Sequence, residues 1–310
     1  MAAFQVTSNP KLQDVDVIKL VKEIHGNRFN FDDPLPERPD YLIWSEDDHG
    51  NTYGIALPGS LIQVSGQSKT RKSTFLATIA AACLNQDGQA LGIRSSIKSN
   101  ILYFDTEQSE YEFKRFQKMV CRLAGVKHHP ANYFGYALRK YDEETRLVAI
   151  DAFLTQMKPD FLKSIGLIII DGIADCLPSS NDQVESRRLV TRLTYWADAL
   201  QVPIFVAIHT NKDGENSTGM LGGFLDKKCS YHVRTANVSD ARDSPTRVSC
   251  RFSRLGESFP DFVFRHDPDT GLPGLMTMSE MTTEWMKQTE SEEETSKAAD
   301  IEPVSGILPF

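Results

Sequence analysis

No apolar run in this chain approaches the ~18 residues that a bilayer span needs. The opening stretch, "MAAFQVTSNPKLQDVDV", lacks a basic region followed by an apolar one, so no signal peptide is expected. Cysteine is scarce. Cys83, Cys121, Cys176, Cys229 and Cys250 are odd in number and far apart, showing neither a disulfide framework nor metal-ligand spacing. That usage suits a reducing, cytoplasmic setting. His128 and His129 have no thiol or carboxylate at ligand spacing and read as solvated loop residues. Positive charge is in deficit: 34 Lys and Arg stand against 42 Asp and Glu, a net charge of −8. This argues against a general nucleic-acid coat protein and leaves room for a local basic channel. There is no internal repeat. What is present is 310 residues of ordinary globular composition, enough for one large α/β domain or two small ones.

The pattern along the chain divides it in three. Residues 1–56 are polar and rich in Pro and Asp, with one short amphipathic helix expected over Asp14 to Ile24. They read as an arm with little core of its own. Residues 57–278 alternate apolar strand candidates, "LIQVS", "NILYFD", "LIIID" and "IFVAIH", with helix candidates Ser73–Leu84, Glu110–Ala124, Thr145–Met157 and Ser186–Leu200. Such alternation predicts an α/β fold, a mostly parallel sheet with helices on both faces. "TRVSCRFSR" and "DFVFRHD" then read as a C-terminal β-hairpin extension of that sheet. Residues 279–310 are polar and acidic and are expected to form a solvated, disordered tail.

Within that frame, "SGQSKTRKST" carries Gly66, Lys72 and Ser73 at the spacing of a phosphate-binding loop, G-x-x-x-x-G-K-[ST]. A strand precedes it and an apolar helix follows, so phosphates would meet a helix N-terminus. Gly66, Gln67, Ser68, Lys69, Thr70, Arg71, Lys72, Ser73 and Thr74 are therefore candidate nucleotide-binding residues. Arg71 occupies the position where a second glycine is usual. If that position needs φ > 0, a side chain there costs about 1–2 kcal/mol. A phosphate or carboxylate contact by the guanidinium would offset this.

Three other strands end in chemistry-bearing residues. "SIGLIIID" delivers Asp171, which would hold Mg²⁺, directly or through water, together with Ser73; the alternative is a core strand that merely ends in Asp before a Gly turn. "NILYFDTEQS" ends in Asp105 and Glu107, and Glu107 is placed to polarise an attacking water, with Asp105 as competitor. Thr106 and Ser109 also read as caps of the following helix. "IFVAIH" ends in His209, either a structural residue or a sensor of phosphate or nucleic acid, with Lys212 in the loop beyond.

Taken together, "SGQSKTRKSTFL", "YFDTEQ", "LIIIDGIADC" and "IHTNK" resemble the RecA-like P-loop ATPases. The likeness runs from about Leu57 to Leu275. Within that superfamily they look like the hexameric-helicase branch typified by RepA and replicative DNA helicases, and like AAA ATPases carried by bacterial mobile elements. The resemblance implies ATP and Mg²⁺ as cofactors, with Lys72, Glu107 and His209 acting in catalysis and Ser73 and Asp171 on the metal. It implies homo-oligomeric, hexameric rings whose loops near 172–184 and 210–220 face single-stranded DNA. "VSCRFSRLGESF" resembles the strand carrying an arginine finger, which would make Arg254 the finger, with Arg251 as alternative; Phe252 stands where that family often has Lys. In the mobile-element group an Arg at the position of Arg71 is a tolerated variant. Unwinding or remodelling of DNA is the activity so implied. A non-hydrolysing nucleotide switch and a recombinase-like DNA-binding mediator are the alternatives.

Overall fold

The computed structural model of the chain describes residues 16–283, apart from Asp48, Lys212, Asp213, Glu215, Asp240, Arg242 and Met278. The acidic tail beyond 283, Asp14 and Lys212 thus lie outside the described residues. The chain divides into two units, Met1–Pro39 and Asp40–Phe310. In the first, helix α1 (Val17–Gly26) is capped by Asp16, whose carboxylate accepts the Lys19 N–H at 3.0 Å. None of its residues is buried.

The second unit holds strands β1 (Ile43–Glu46), β2 (Thr52–Ala56) and β3 (Leu61–Gly66), then helix α2 (Lys72–Leu84). The short strands β4 (Gln89–Ala90) and β5 (Ile93–Ser95) follow, then β6 (Asn100–Asp105), α3 (Glu110–Leu123) and β7 (Tyr133–Ala137). Next come α4 (Glu143–Thr155), α5 (Pro159–Lys163), β8 (Ile165–Asp171), α6 (Gln183–Leu200), β9 (Ile204–His209) and α7 (Gly219–Lys228). The unit closes with β10 (Tyr231–Asn237), β11 (Thr246–Ser253), β12 (Phe262–His266) and β13 (Pro273–Leu275).

Nine strands form the main sheet in the order β13-β12-β11-β10-β3-β9-β8-β6-β7. From β10 to β7 every pairing is parallel, and β10, β11, β12 and β13 pair antiparallel. The strands are apolar at nearly every position because both faces are covered. In β8, Leu167 and Ile169 join one core cluster with Phe75 of α2 and Phe113 of α3. Ile168 and Ile170 join the other, with Leu154 of α4, Trp196 of α6 and Leu225 of α7. This is the α/β architecture that the alternation predicts, with the hairpin β11–β12 where it is expected and β13 added.

The boundary at residue 56 is not where the compact unit begins. β1, β2, β4 and β5 make a separate antiparallel sheet, and Ile43, Ile55 and Ala56 are fully buried in the same cluster as α2. α2 packs on both sheets, which is why "TFLATIAAAC" is apolar around its whole circumference rather than along one stripe. The first unit therefore ends at Pro39.

Candidate nucleotide site

β3 carries the chain to Gly66, where a Cβ would collide with the Thr70 hydroxyl and with Thr235 of β10. The Thr70 hydroxyl reaches the Gln67 carbonyl (2.8 Å) and the Thr235 hydroxyl (2.9 Å), which ties the loop to β10. Gln67, Ser68 and Lys69 are exposed; Thr70, Lys72 and Thr74 are buried. No side chain caps α2, so the first N–H groups of that helix are left for an anion. Lys72 Nζ donates to the carbonyls of Gly66 and Gln67, each at 3.0 Å. Burial lowers the Lys72 pKa, opposed by Glu107 and Asp171.

Arg71 does sit in the left-handed region, at φ 61°, as does Lys69 at φ 66°. Among the described residues its guanidinium makes no hydrogen bond to a carboxylate. It donates to the Ser244 carbonyl and to the Thr246 hydroxyl (3.0 Å), where β11 begins. Arg71 is thus a strut between the loop and a turn about 170 residues downstream. Replacing it with Gly removes the strut, worth about 1 kcal/mol per bond, and removes the backbone cost, about 1–2 kcal/mol. Arg71→Gly is expected to fold normally and to bind ATP within about threefold of the parent by titration calorimetry. A tenfold loss would show that the guanidinium leaves its strut position to meet phosphate.

Beside β3 lies β9, and beyond it β8 and β6, so Asp171 and Asp105 end level with each other. Asp105 is fully buried and wholly occupied. One oxygen accepts the N–H groups of Glu107 (3.1 Å) and Gln108 (2.7 Å), and the other accepts the Gln108 side-chain amide (2.7 Å). It shapes the turn. Glu107, exposed beyond that turn, faces His209 Nε2 at 3.3 Å, and His209 Nδ1 lies 3.0 Å from Lys72 Nζ. An ammonium only donates, so Nδ1 accepts and Nε2 carries the proton toward Glu107. This hydrogen bond and the Lys72 charge hold the Glu107 pKa below its ordinary value, against burial. Ser109 caps α3 through a capping box with Glu112, whereas the Thr106 hydroxyl instead reaches the carbonyls of Asp171 (3.0 Å) and Gly172 (2.8 Å).

Asp171 is buried and accepts the Tyr103 hydroxyl at 2.9 Å; Ser73 hydrogen-bonds to it as well. Burial raises its pKa to about 7, helped by the charges of Asp105 and Glu107. Such a carboxylate calls for a cation. Among the described residues no group of three or more His, Cys, Asp or Glu could hold a metal alone. Ser73 and Asp171 fit Mg²⁺, which usually takes one or two protein oxygens and completes its shell with phosphates and water.

The folded-state pKa of Asp171 stands above the unfolded value near 4, so the folded state holds the proton over the window between them. Stability of the nucleotide-free protein is therefore expected to fall as pH rises from about 4 to 7, by up to ~1.4 kcal/mol per pH unit from this group. Asp171→Asn should remove that slope in thermal melts and raise the melting temperature at pH 8. Parallel slopes in the two proteins would mean that Asp171 ionises freely in the folded state.

Arg254 is not brought to this edge. β11 runs antiparallel to β10, with Ser253 level with Tyr231 and hence with Ile62. Gly66 lies four residues further along β3, roughly 13 Å away. Arg254 is exposed and donates to the Lys227 carbonyl at 2.8 Å, and Arg251 donates to the Asn216 side chain at 3.2 Å. Within its own chain neither reaches the nucleotide edge. Of the stretch 172–184, Gly172, Ile173, Cys176 and Leu177 are buried and Ala174 and Asp175 half-buried, so the exposed part begins at Pro178. In the stretch 210–220, Thr210 and Ser217 bridge each other and α7 begins at Gly219. Sequence reasoning missed Ser244, Thr246, Thr235 and Arg234, which flank the loop from β10 and β11. They lie about 165–175 residues away, and no local pattern marks them.

The profile of a family described as an AAA domain matches residues 47–215, more than half of the chain. That span contains the loop, Asp105, Glu107, Asp171 and His209. No curated protein matches. Among solved structures, the crystal structure of the RadB recombinase is similar, with a TM-score of 0.50 and 15% identity. The match covers 69% of this chain and 90% of that one, and it shows the shared fold.

Proposed function

This chain belongs to the AAA-domain family, and we propose that it binds ATP with Mg²⁺ and hydrolyses it to drive work on DNA. One observation carries the reading. Lys72, His209 and Glu107, drawn from three separate elements, are linked in turn by contacts of 3.0 and 3.3 Å at one strand-end edge, where Asp171, hydrogen-bonded to Ser73, ends a fourth. Lys72 leaves its loop carbonyls to meet the β- and γ-phosphates. Ser73 and Asp171 would hold the Mg²⁺, which would supply charge compensation on the phosphates. Glu107 orients water for in-line attack on the γ-phosphorus and accepts its proton. His209 fixes Glu107 through Nε2 and senses the departure of Lys72 through Nδ1.

The DNA part rests on the resemblance to replicative helicases and RepA, and extends to single-stranded DNA, hexameric rings, the loops near 172–184 and 210–220, and a role in mobile-element replication. A finger role for Arg254 would require a neighbouring copy, given its place on the far edge. The RadB likeness favours a second reading, a recombinase-type mediator that coats DNA in filaments. The deciding experiment is the ATPase rate against single-stranded DNA concentration, with assembly state measured in parallel. DNA-stimulated turnover in rings supports unwinding, and filaments support the mediator. Tight ATP binding without turnover would reduce the protein to a nucleotide switch.

A further inference from the structure

Gln67, Thr70, Thr210, Arg234, Thr235 and Asn237 surround a cavity of about 180 Å³ beside the phosphate loop. It shares Gln67 and Thr70 with that loop but none of Lys72, Ser73, Glu107 or Asp171, so it adjoins the site above without coinciding with it. Two donors converge there. Gln67 Nε2 and Arg234 Nη2 stand 3.2 and 3.4 Å from where a Cβ of Gly214 would be. Thr210 is nine-tenths buried, and its buried hydroxyl has no hydrogen-bond partner among the described residues. Leaving a buried hydroxyl unmatched costs about 1–3 kcal/mol, which an accepting oxygen on a ligand would offset. The described lining contains a guanidinium, amides and hydroxyls and no carboxylate, in a chain of net charge −8.

The geometry points to a second phosphoryl-binding site, with Arg234 as its cation and Thr210, Gln67 and Asn237 as its neutral partners. A guanidinium matches the oxygens of a phosphoryl group by two parallel hydrogen bonds, and a small tetrahedral anion fits the cavity. Because Gln67 and Thr70 line both sites, occupancy here would be felt by the nucleotide loop. The chemistry has two sources: a phosphodiester of a bound nucleic acid strand, or a phosphate of a nucleotide. This inference rests on the proposed function only for those two sources. The site itself is tested without either.

The direct test uses the full chain carrying Lys72→Ala, whose own phosphate loop is disabled, titrated with inorganic phosphate by calorimetry. Saturable binding is expected, lost when Arg234→Gln is added and retained at severalfold lower affinity with Arg234→Lys, which keeps the charge but not the paired hydrogen bonds. Absence of phosphate binding in the Lys72→Ala protein, or equal binding with and without Arg234→Gln, overturns the proposal. Thr210→Val, a change of hydroxyl to methyl, should weaken binding severalfold; unchanged binding also counts against it. The source is then read in otherwise intact protein. If it is DNA, Arg234→Gln lowers the salt slope of binding to a labelled oligothymidylate by about one ion, and nucleotide affinity is unchanged. If it is nucleotide, that slope stays and turnover drops at least tenfold. Wild-type protein that neither binds DNA nor turns over ATP defeats the proposed function, while the phosphate titration still decides the site.

Discussion

Lys72→Ala is expected to remove ATP binding almost completely, with affinity lost by at least about 100-fold. Lys72 is the single buried cation at the mouth of the loop helix, and its Nζ already sits among carbonyl acceptors that ATP phosphates would replace. Hydrogen bonds to charged groups contribute about 1.5–3 kcal/mol each, so two lost phosphate contacts suffice for that drop. Lys69→Ala should shift affinity by less than about twofold, because Lys69 is exposed in mid-loop. Titration with a slowly hydrolysed ATP analogue separates the two, with circular dichroism to establish that both variants fold. Equal losses from Lys69 and Lys72 would mean that the register of the loop is wrong.

Glu107→Gln should lose ~10²–10⁴-fold in turnover, the usual contribution of general-base catalysis, while its ATP affinity stays within about threefold. The geometry selects Glu107 over Asp105 because every oxygen of Asp105 is committed to the turn, whereas Glu107 is exposed and its carboxylate faces His209. Asp105→Asn is expected to act differently. It replaces one acceptor oxygen with an NH2 donor, which leaves a donor opposite the Gln108 side-chain amide or costs the two backbone N–H groups their acceptor, so its main effect is a lower melting temperature. Single-turnover hydrolysis and thermal melts on both variants give the comparison. A Glu107→Gln protein that hydrolyses ATP at the parent rate would leave the water-orienting role to another group.

How much of this could be read from the chain alone depended on range. The spacing of Gly66, Lys72 and Ser73 sits within eight residues, and strand–helix alternation is set by local apolar periodicity. Four central strands and the start and end of α2, α3 and α6 were therefore legible to within three residues. The left-handed backbone at Arg71 was legible too, because a missing glycine is a local steric question. Strands without that signature were not. β1 and β2 are only four and five residues long, without a sustained apolar run or clean alternation, and they become core only by closing over α2, so the arm appeared to extend to residue 56 instead of Pro39.

The partners were decided by the tertiary structure. Sequence favours Glu107 and keeps Asp105 as its competitor; only the folded turn shows that the Asp105 oxygens are taken up by the backbone and Gln108. Arg71 reaches Ser244 and Thr246 because β10 and β11 are laid beside β3, a pairing across some 170 residues that no local pattern encodes. The antiparallel course of β11 sends Arg254 to the far edge of the sheet and leaves Arg234, on parallel β10, beside the phosphate loop. Residue type and spacing determined which chemistry the chain carries. Strand order and direction determined which groups meet, because they alone set which strand ends share an edge.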